Sequence, residues 1–230
     1  MRVYYPRSDW AEQDPDELWQ AFAATTREVL QKSAIDAREV LGVGVSAQMF
    51  NLLPVDENCR PVTRMLSWLD VRSVHQADRL LTEDTRAFIY QHTGNMPTAK
   101  DVVPKILWLK EERPGLWERT RWLLDCKEYI LFKLTGEIAI DWHGASVFFL
   151  FNPHTKTWDE QVCARLGIPV EKPEGHRNPR RTHAASSYSC ISPPSTSLRR
   201  TDAVEMATTD SLSLVSGTRS PSPRWGRLAL

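Results

Sequence analysis

The chain has 230 residues, 41% of them hydrophobic and 25% charged, and a formal net charge of zero. Those values fit one or two domains with a packed core, and they argue against a chain built to hold nucleic acid. The longest apolar run near the middle, Val147 to Phe151, covers five residues, whereas a membrane span needs about 20.

No basic stretch followed by an apolar one opens the chain, so secretion is not indicated. Cys59, Cys126, Cys163 and Cys190 lie far apart and form no Cys-x-x-Cys pair. Dispersed thiols of this kind read as reduced and structural, and the expected location is cytoplasmic.

The elements follow in chain order. Arg2 to Tyr5 reads as a short strand. Asp14-Pro15-Asp16-Glu17 reads as a helix start, with Asp14 as cap, Pro15 at the first position and Glu17 reaching back as a capping box. Leu18, Phe22, Val29 and Leu30 recur at helical spacing and predict an amphipathic helix over 15–33. Leu41 to Ala47 alternates Gly42, Gly44 and Ser46 with Val43, Val45 and Ala47, as a central strand with one closely packed face does.

Residues 51–55 and 62–68 flank a polar turn through Asp56-Glu57-Asn58 and predict a hairpin. Residues 73–92 read as one helix. Pro104 suits the first turn of a helix through Lys105 to Glu112, and Pro114 ends it. Arg121 to Leu124 reads as a strand, Lys127 to Leu134 as a helix stopped by Gly136, and Trp158 to Leu166 as a last helix before Gly167. Strands alternating with helices predict an α/β domain with a mixed sheet.

Beyond about residue 175 the composition changes. Residues 1–175 carry 21 Lys and Arg against 26 Asp and Glu, a net charge of −5, while residues 176–230 carry 8 against 3, a net of +5. All eight cations of the second stretch are Arg, among 11 Ser, 6 Thr and 5 Pro, with no sustained period. Such a composition buries too little apolar area to offset the entropy of ordering, so a disordered tail is expected. Arg-only basicity beside Ser and Pro also matches an out-of-frame reading of GC-rich coding DNA. A basic arm for phosphate groups is the other reading, and the less favoured one.

Five short signatures stand in a fixed order over the first 175 residues. Gln48-Met49 follows the small-residue strand. Then come Trp68-Leu69-Asp70-Val71-Arg72, Lys105-Ile106-Leu107-Trp108-Leu109, Leu134-Thr135-Gly136-Glu137, and Asp141-Trp142-His143-Gly144-Ala145-Ser146. Together, from about Tyr4 to about Glu174, they resemble the N-terminal domain of the FGGY carbohydrate kinases, which include xylulokinase and glycerol kinase.

The resemblance implies a partial ribonuclease-H-like domain of the actin-like ATPase superfamily over 1–175. It also implies transfer of the γ-phosphate of ATP, with magnesium, to a sugar or polyol hydroxyl. By the same resemblance Gln48, Met49 and Phe50 approach the sugar and Trp68 lines its pocket. Asp70 and Arg72 either hold hydroxyls or brace the pocket as a charge-assisted pair. Asp101 is a candidate contact in the loop that follows Thr98.

Phe50 stands where xylulokinases usually carry His, and Met49-Phe50 where glycerol kinases carry Arg-Glu, so the sugar stays unassigned. Read without the family, Met49 and Phe50 are packing residues at a strand end, and Trp68 is a core residue beside an ion pair. The Lys105 helix marks the fold rather than the site. His143 has no nucleophile or carboxylate at an informative spacing and reads as structural. No His set has metal-ligand spacing.

The family's Asp-x-Gly-Thr phosphate turn, its Gly-Gly-Asp catalytic segment and its nucleotide lobe have no counterpart in the sequence. The expectation is therefore a sugar-side domain truncated at both ends, without turnover, with a non-catalytic sugar- or partner-binding module as the alternative. A small sugar or polyol is the expected partner. A membrane or nucleic acid is not, and a homo-oligomer stays open.

Overall fold

The structure, a computed structural model, describes residues 2–80 and 82–174 together with the backbone of three strands between 189 and 227. In chain order the elements are β1 (Val3–Tyr4), β2 (Glu12–Gln13), α1 (Pro15–Ser33), β3 (Val40–Val45), β4 (Leu53–Val55), β5 (Met65–Leu66), α2 (Val74–Leu80) and α3 (Glu83–Thr93). They continue with α4 (Val102–Glu112), α5 (Pro114–Arg119), β6 (Trp122–Leu124), α6 (Cys126–Thr135), α7 (Trp142–Val147), β7 (Phe151–Asn152), β8 (Thr157–Trp158), α8 (Glu160–Leu166) and α9 (Glu171–Glu174). The last strands are β9 (Ser189–Ile191), β10 (Leu212–Ser216) and β11 (Arg224–Arg227).

Helix α1 covers the residues its periodicity predicts. The Asp14 carboxylate accepts the backbone N–H groups of Asp16 and Glu17, which satisfies donors that the first turn leaves without helical partners. Glu17 does not close a capping box. Its carboxylate accepts the Tyr4 hydroxyl at 2.5 Å instead, tying β1 to the helix.

Other expectations shift for tertiary reasons. Residues 51–68 touch as a hairpin only at the bridges Leu52–Leu66 and Val55–Pro61. The longer partner of β4 is β6, and β5 pairs with β2. The helix expected over 73–92 is two, α2 and α3, with Thr82 preceding the second. Helix α4 begins three residues before Lys105, and Pro114 opens α5 as well as ending α4. Trp158 belongs to the β7–β8 hairpin rather than to α8. That hairpin and α7 carry no clear periodicity in the sequence.

Four small sheets result, ordered β1-β2-β5, β11-β10-β3-β9, β4-β6 and β7-β8, and the described pairings are antiparallel. Strand β3 thus lies between β10 and β9. The expectation of disorder over 176–230 otherwise falls outside the described residues.

The main core surrounds α4. Residues 102–109 are all buried, so this helix is covered on every side rather than along one stripe. Leu52, Leu66, Leu80, Ile89, Leu123, Phe148, Phe151 and Val162 pack in the same cluster. A second cluster joins Leu53, Val55, Met65, Leu124 and Tyr129 to Leu18 and Trp19 of α1. Each fully buried aliphatic side chain contributes about 1.5–3 kcal/mol of transfer free energy. That helix is the rigid post on which the candidate site is built.

Candidate functional site

Three connecting stretches meet at the N-terminal half of α4: residues 48–51 after β3, 67–72 after β5, and 98–101 before α4. Asn51 joins the first two. Its Nδ2 donates to the Gln48 carbonyl at 3.2 Å and to Asp125 Oδ1 at 2.7 Å, and its Oδ1 accepts the Trp68 N–H at 3.1 Å. Ser73 Oγ donates to the Ala99 carbonyl at 3.1 Å and holds the third stretch beside the start of α2. Lys105 Nζ, on α4, donates at 2.7 Å to both the Phe50 and Lys100 carbonyls.

The expected site residues divide into two groups. Met49 is 36% exposed and Trp68 is 42% exposed, large apolar side chains presented to solvent. Gln48 donates from Nε2 to Gln13 Oε1 at 2.5 Å, which fixes its amide. Phe50 takes a left-handed backbone conformation, φ 66°, rare for a bulky residue. Its ring meets that of Phe149 edge-on at 6.4 Å.

Asp70 and Arg72 turn inward. Asp70 is fully buried and accepts the Ala11 N–H at 2.6 Å. Arg72 Nε lies 2.9 Å from both Asp70 oxygens, and its Nη2 reaches Asp70 at 2.7 Å and Glu12 at 2.8 Å. The guanidinium carbon stands 3.8 Å from the Trp10 ring centre and 4.8 Å from that of Trp108. A planar, weakly hydrated cation suits such a slot between rings and carboxylates. Asp101 is also buried, and its carboxylate accepts the Thr98 N–H within its own loop.

Three polar residues of this neighbourhood escaped the sequence reading as site elements: Asn51, Lys105 and Asp125. Only Lys105 carried a signal, through the signature it opens. Burial drags the Lys105 ammonium down to about 8, against the opposing pull of Asp70, Asp125 and Asp101 and with the help of Arg72. Burial pushes Asp125 up to about 6, opposed by the bonds from Asn51 and the Cys126 N–H and by Lys105.

Next to it, Glu128 is raised to about 7 by burial, with Lys127 acting against the rise and Asp125 and Asp141 adding to it. Glu128 accepts the Asp125 N–H at 3.1 Å, closing a capping box on α6, while its Oε1 is buried without a partner among the described residues. This seam of acids lies behind the exposed face, not on it.

His143 is exposed on α7. A cleft of about 570 Å³ opens elsewhere, between the start of α1, the 58–64 turn and α6. Asp14, Arg60, Arg64, Tyr129 and Lys133 line it, and none of the expected site residues does. Among the described residues no helix is long and apolar enough to cross a membrane.

Comparison with known proteins gives one consistent result. The model of the FGGY family of carbohydrate kinases, N-terminal domain, matches residues 1–177. A gluconokinase of Bacillus licheniformis is 30% identical over 166 residues, which are 72% of this chain and 32% of that protein. A glycerol kinase of Thermococcus onnurineus is 26% identical over 170 residues, 72% of this chain and 34% of that protein. The crystal structure of gluconate kinase from Lactobacillus acidophilus superposes with a TM-score of 0.69 at 25% identity, over 75% of this chain and 34% of that one. Structures of this kind carry the ribonuclease-H-like, actin-like ATPase fold, and the described part of the chain shares it. The chain spans about a third of the length of the curated relatives it matches.

Proposed function

Because the chain belongs to the FGGY family of carbohydrate kinases, through their N-terminal domain, we propose that it forms the sugar-side part of an ATP-dependent kinase acting on a sugar or polyol hydroxyl. The observation that carries this reading is the pairing of exposed Met49 and Trp68 with a fully bonded polar frame behind them. A polyol presents C–H faces and hydroxyls. An exposed indole and thioether suit the first, and a few fixed polar groups the second. In this proposal Trp68 and Met49 lie against the sugar, with Gln48, Phe50 and the 98–101 loop carrying Asp101 at its edge. Asp70 and Arg72 brace the turn from within.

Phosphoryl transfer to a hydroxyl needs positioning, charge stabilisation and a carboxylate to take the proton. The described residues supply the positioning. Asp70, Asp101 and Asp125 each accept internal donors rather than facing the Met49–Trp68 surface. The described residues form no ready-made metal cage. No group of three His, Cys, Asp or Glu suited to a metal occurs among them. Their glycines sit in β3 and β11, at helix C-termini and inside α5 and α7, not in a phosphate-cradling turn. With Asp70, Asp101 and Asp125 engaged internally, we propose further that the 230-residue chain binds a polyol without turning it over, through a unit ending near residue 175.

The test is calorimetric titration of the chain with gluconate, xylulose and glycerol in parallel, beside a phosphoryl-transfer assay with ATP and magnesium. Binding of one polyol that Trp68→Ala abolishes supports the reading. No binding of any at millimolar concentration sinks it, and ATP-dependent product from the purified chain sinks the claim of no turnover.

A further inference from the structure

We propose that Lys105 is a positioning residue for the sugar-side face: its ammonium ties the Met49–Phe50 turn to the 98–101 loop and thereby fixes where Met49 stands. The inference rests on the sugar-side reading above, which supplies the reason for the turn to be held.

The first argument is cost. Lys105 is fully buried on α4, all of whose residues 102–109 are buried. A buried ammonium is expensive unless its donors find acceptors. Here they find two carbonyls on separate segments, Phe50 and Lys100, each at 2.7 Å. A cation at this position therefore performs a linkage that a leucine cannot.

The second argument is backbone. Phe50 holds φ 66°, a conformation that bulky side chains keep only where the surroundings over-determine it. Its carbonyl is held by Lys105 and its ring by Phe149, so the turn is gripped from both sides of the chain. The opposite anchor is firm as well. The 98–101 loop is closed by Asp101 on Thr98 and pinned by Ser73 on Ala99. Through Lys105 the rigidity of α4 passes to the residue just after Met49.

The third argument is charge. Asp70, Asp125 and Asp101 face the ammonium favourably, and Arg72 faces it unfavourably. With burial, these hold the Lys105 proton to about 8. A neutral amine still donates, but more weakly than an ammonium. The grip on the turn therefore loosens above that pH.

The experiment uses the full chain labelled with 13C-methyl methionine. The Met49 resonance is assigned by its loss in Met49→Leu, and buried Met65 serves as the internal reference. In Lys105→Leu the Met49 methyl shifts and narrows as the turn is released, Met65 stays in place, and affinity for the polyol identified by calorimetry falls about tenfold or more. Lys105→Gln, which keeps an amide donor, recovers part of both signals. An unmoved Met49 methyl with affinity within twofold in folded Lys105→Leu overturns the inference.

Should Lys105→Leu fail to fold, the unsubstituted chain decides. A Met49 methyl that titrates with a midpoint near 8 while Met65 does not supports the linkage, and a flat profile from pH 7 to 9.5 overturns it. If the unsubstituted chain binds no polyol, the sugar-side reading falls while the Met49 methyl still tests the linkage.

Discussion

Two buried acidic clusters lie near α4, and they are satisfied in opposite ways. Around Asp70, one guanidinium meets two carboxylates in fork geometry, a backbone N–H adds a further bond, and two indoles cover the faces of the cation. Around Asp125, two carboxyls share one capping box, the Lys105 ammonium spends its bonds on carbonyls and that of Lys127 goes to Asp141, and Glu128 Oε1 meets no donor among the described residues. The first cluster is a closed ion-pair frame. The second keeps its protons readily, since burial raises both acids. The contrast shows that burial alone does not decide what a carboxylate does. The geometry of the available cation does.

The sharpest way to break the comparison is Arg72→Ala. Removing the guanidinium that joins Asp70 to Glu12 leaves the two acids without their bonded counter-charge, and a loss of about 3–5 kcal/mol is expected in urea unfolding. A loss below about 1 kcal/mol would show that water enters and that the frame is not closed.

A smaller effect is expected from Glu128→Gln, and its sign depends on pH. The Glu128 carboxyl is raised from its ordinary 4.5 to about 7, so the folded chain binds this proton more tightly than the unfolded chain. Its contribution is fully present below about pH 4.5 and fades as the pH climbs through 7. Unfolding followed from pH 5 to pH 8 should show the unsubstituted chain losing stability. Glu128→Gln should flatten that slope and stand roughly 1–3 kcal/mol above it at pH 8. Parallel profiles for the two chains would mean that Glu128 keeps its charge on folding.

The smallest effect on stability belongs to Trp68→Ala, outside both clusters. At 42% exposure its removal should shift unfolding by less than about 1 kcal/mol while lowering polyol affinity about tenfold. A large stability loss with unchanged affinity would return Trp68 to the core.

Much of the local architecture was readable in the residues. The start of α1 followed from Asp14 and Pro15, its body from the spacing of Leu18, Phe22, Val29 and Leu30, and the end of α6 from Gly136, which sits at φ 72°. The order of five signatures was enough to point to the family. The Trp68–Arg72 stretch was legible as a unit, but its division was not. Trp68 and Asp70 differ by two positions, yet one faces solvent and the other is sealed, because the turn after β5 reverses between them and places Asp70 against the Ala11 N–H.

Sequence by itself determined what short-range rules govern: caps, helical periods, glycine stops, and the family to which the ordered signatures belong. Tertiary structure alone decided which strands pair, since β4 chose β6 from across the chain over the segment 62–68 beside it. It alone decided that Lys105 and Asp125 are buried neighbours of the candidate site. Phe50, which accepts from Lys105, and Asn51, which donates to Asp125, lie 55 and 74 positions away along the chain. No local pattern encodes such a meeting, because hydrogen-bond satisfaction in a core is settled by whichever segments packing brings together.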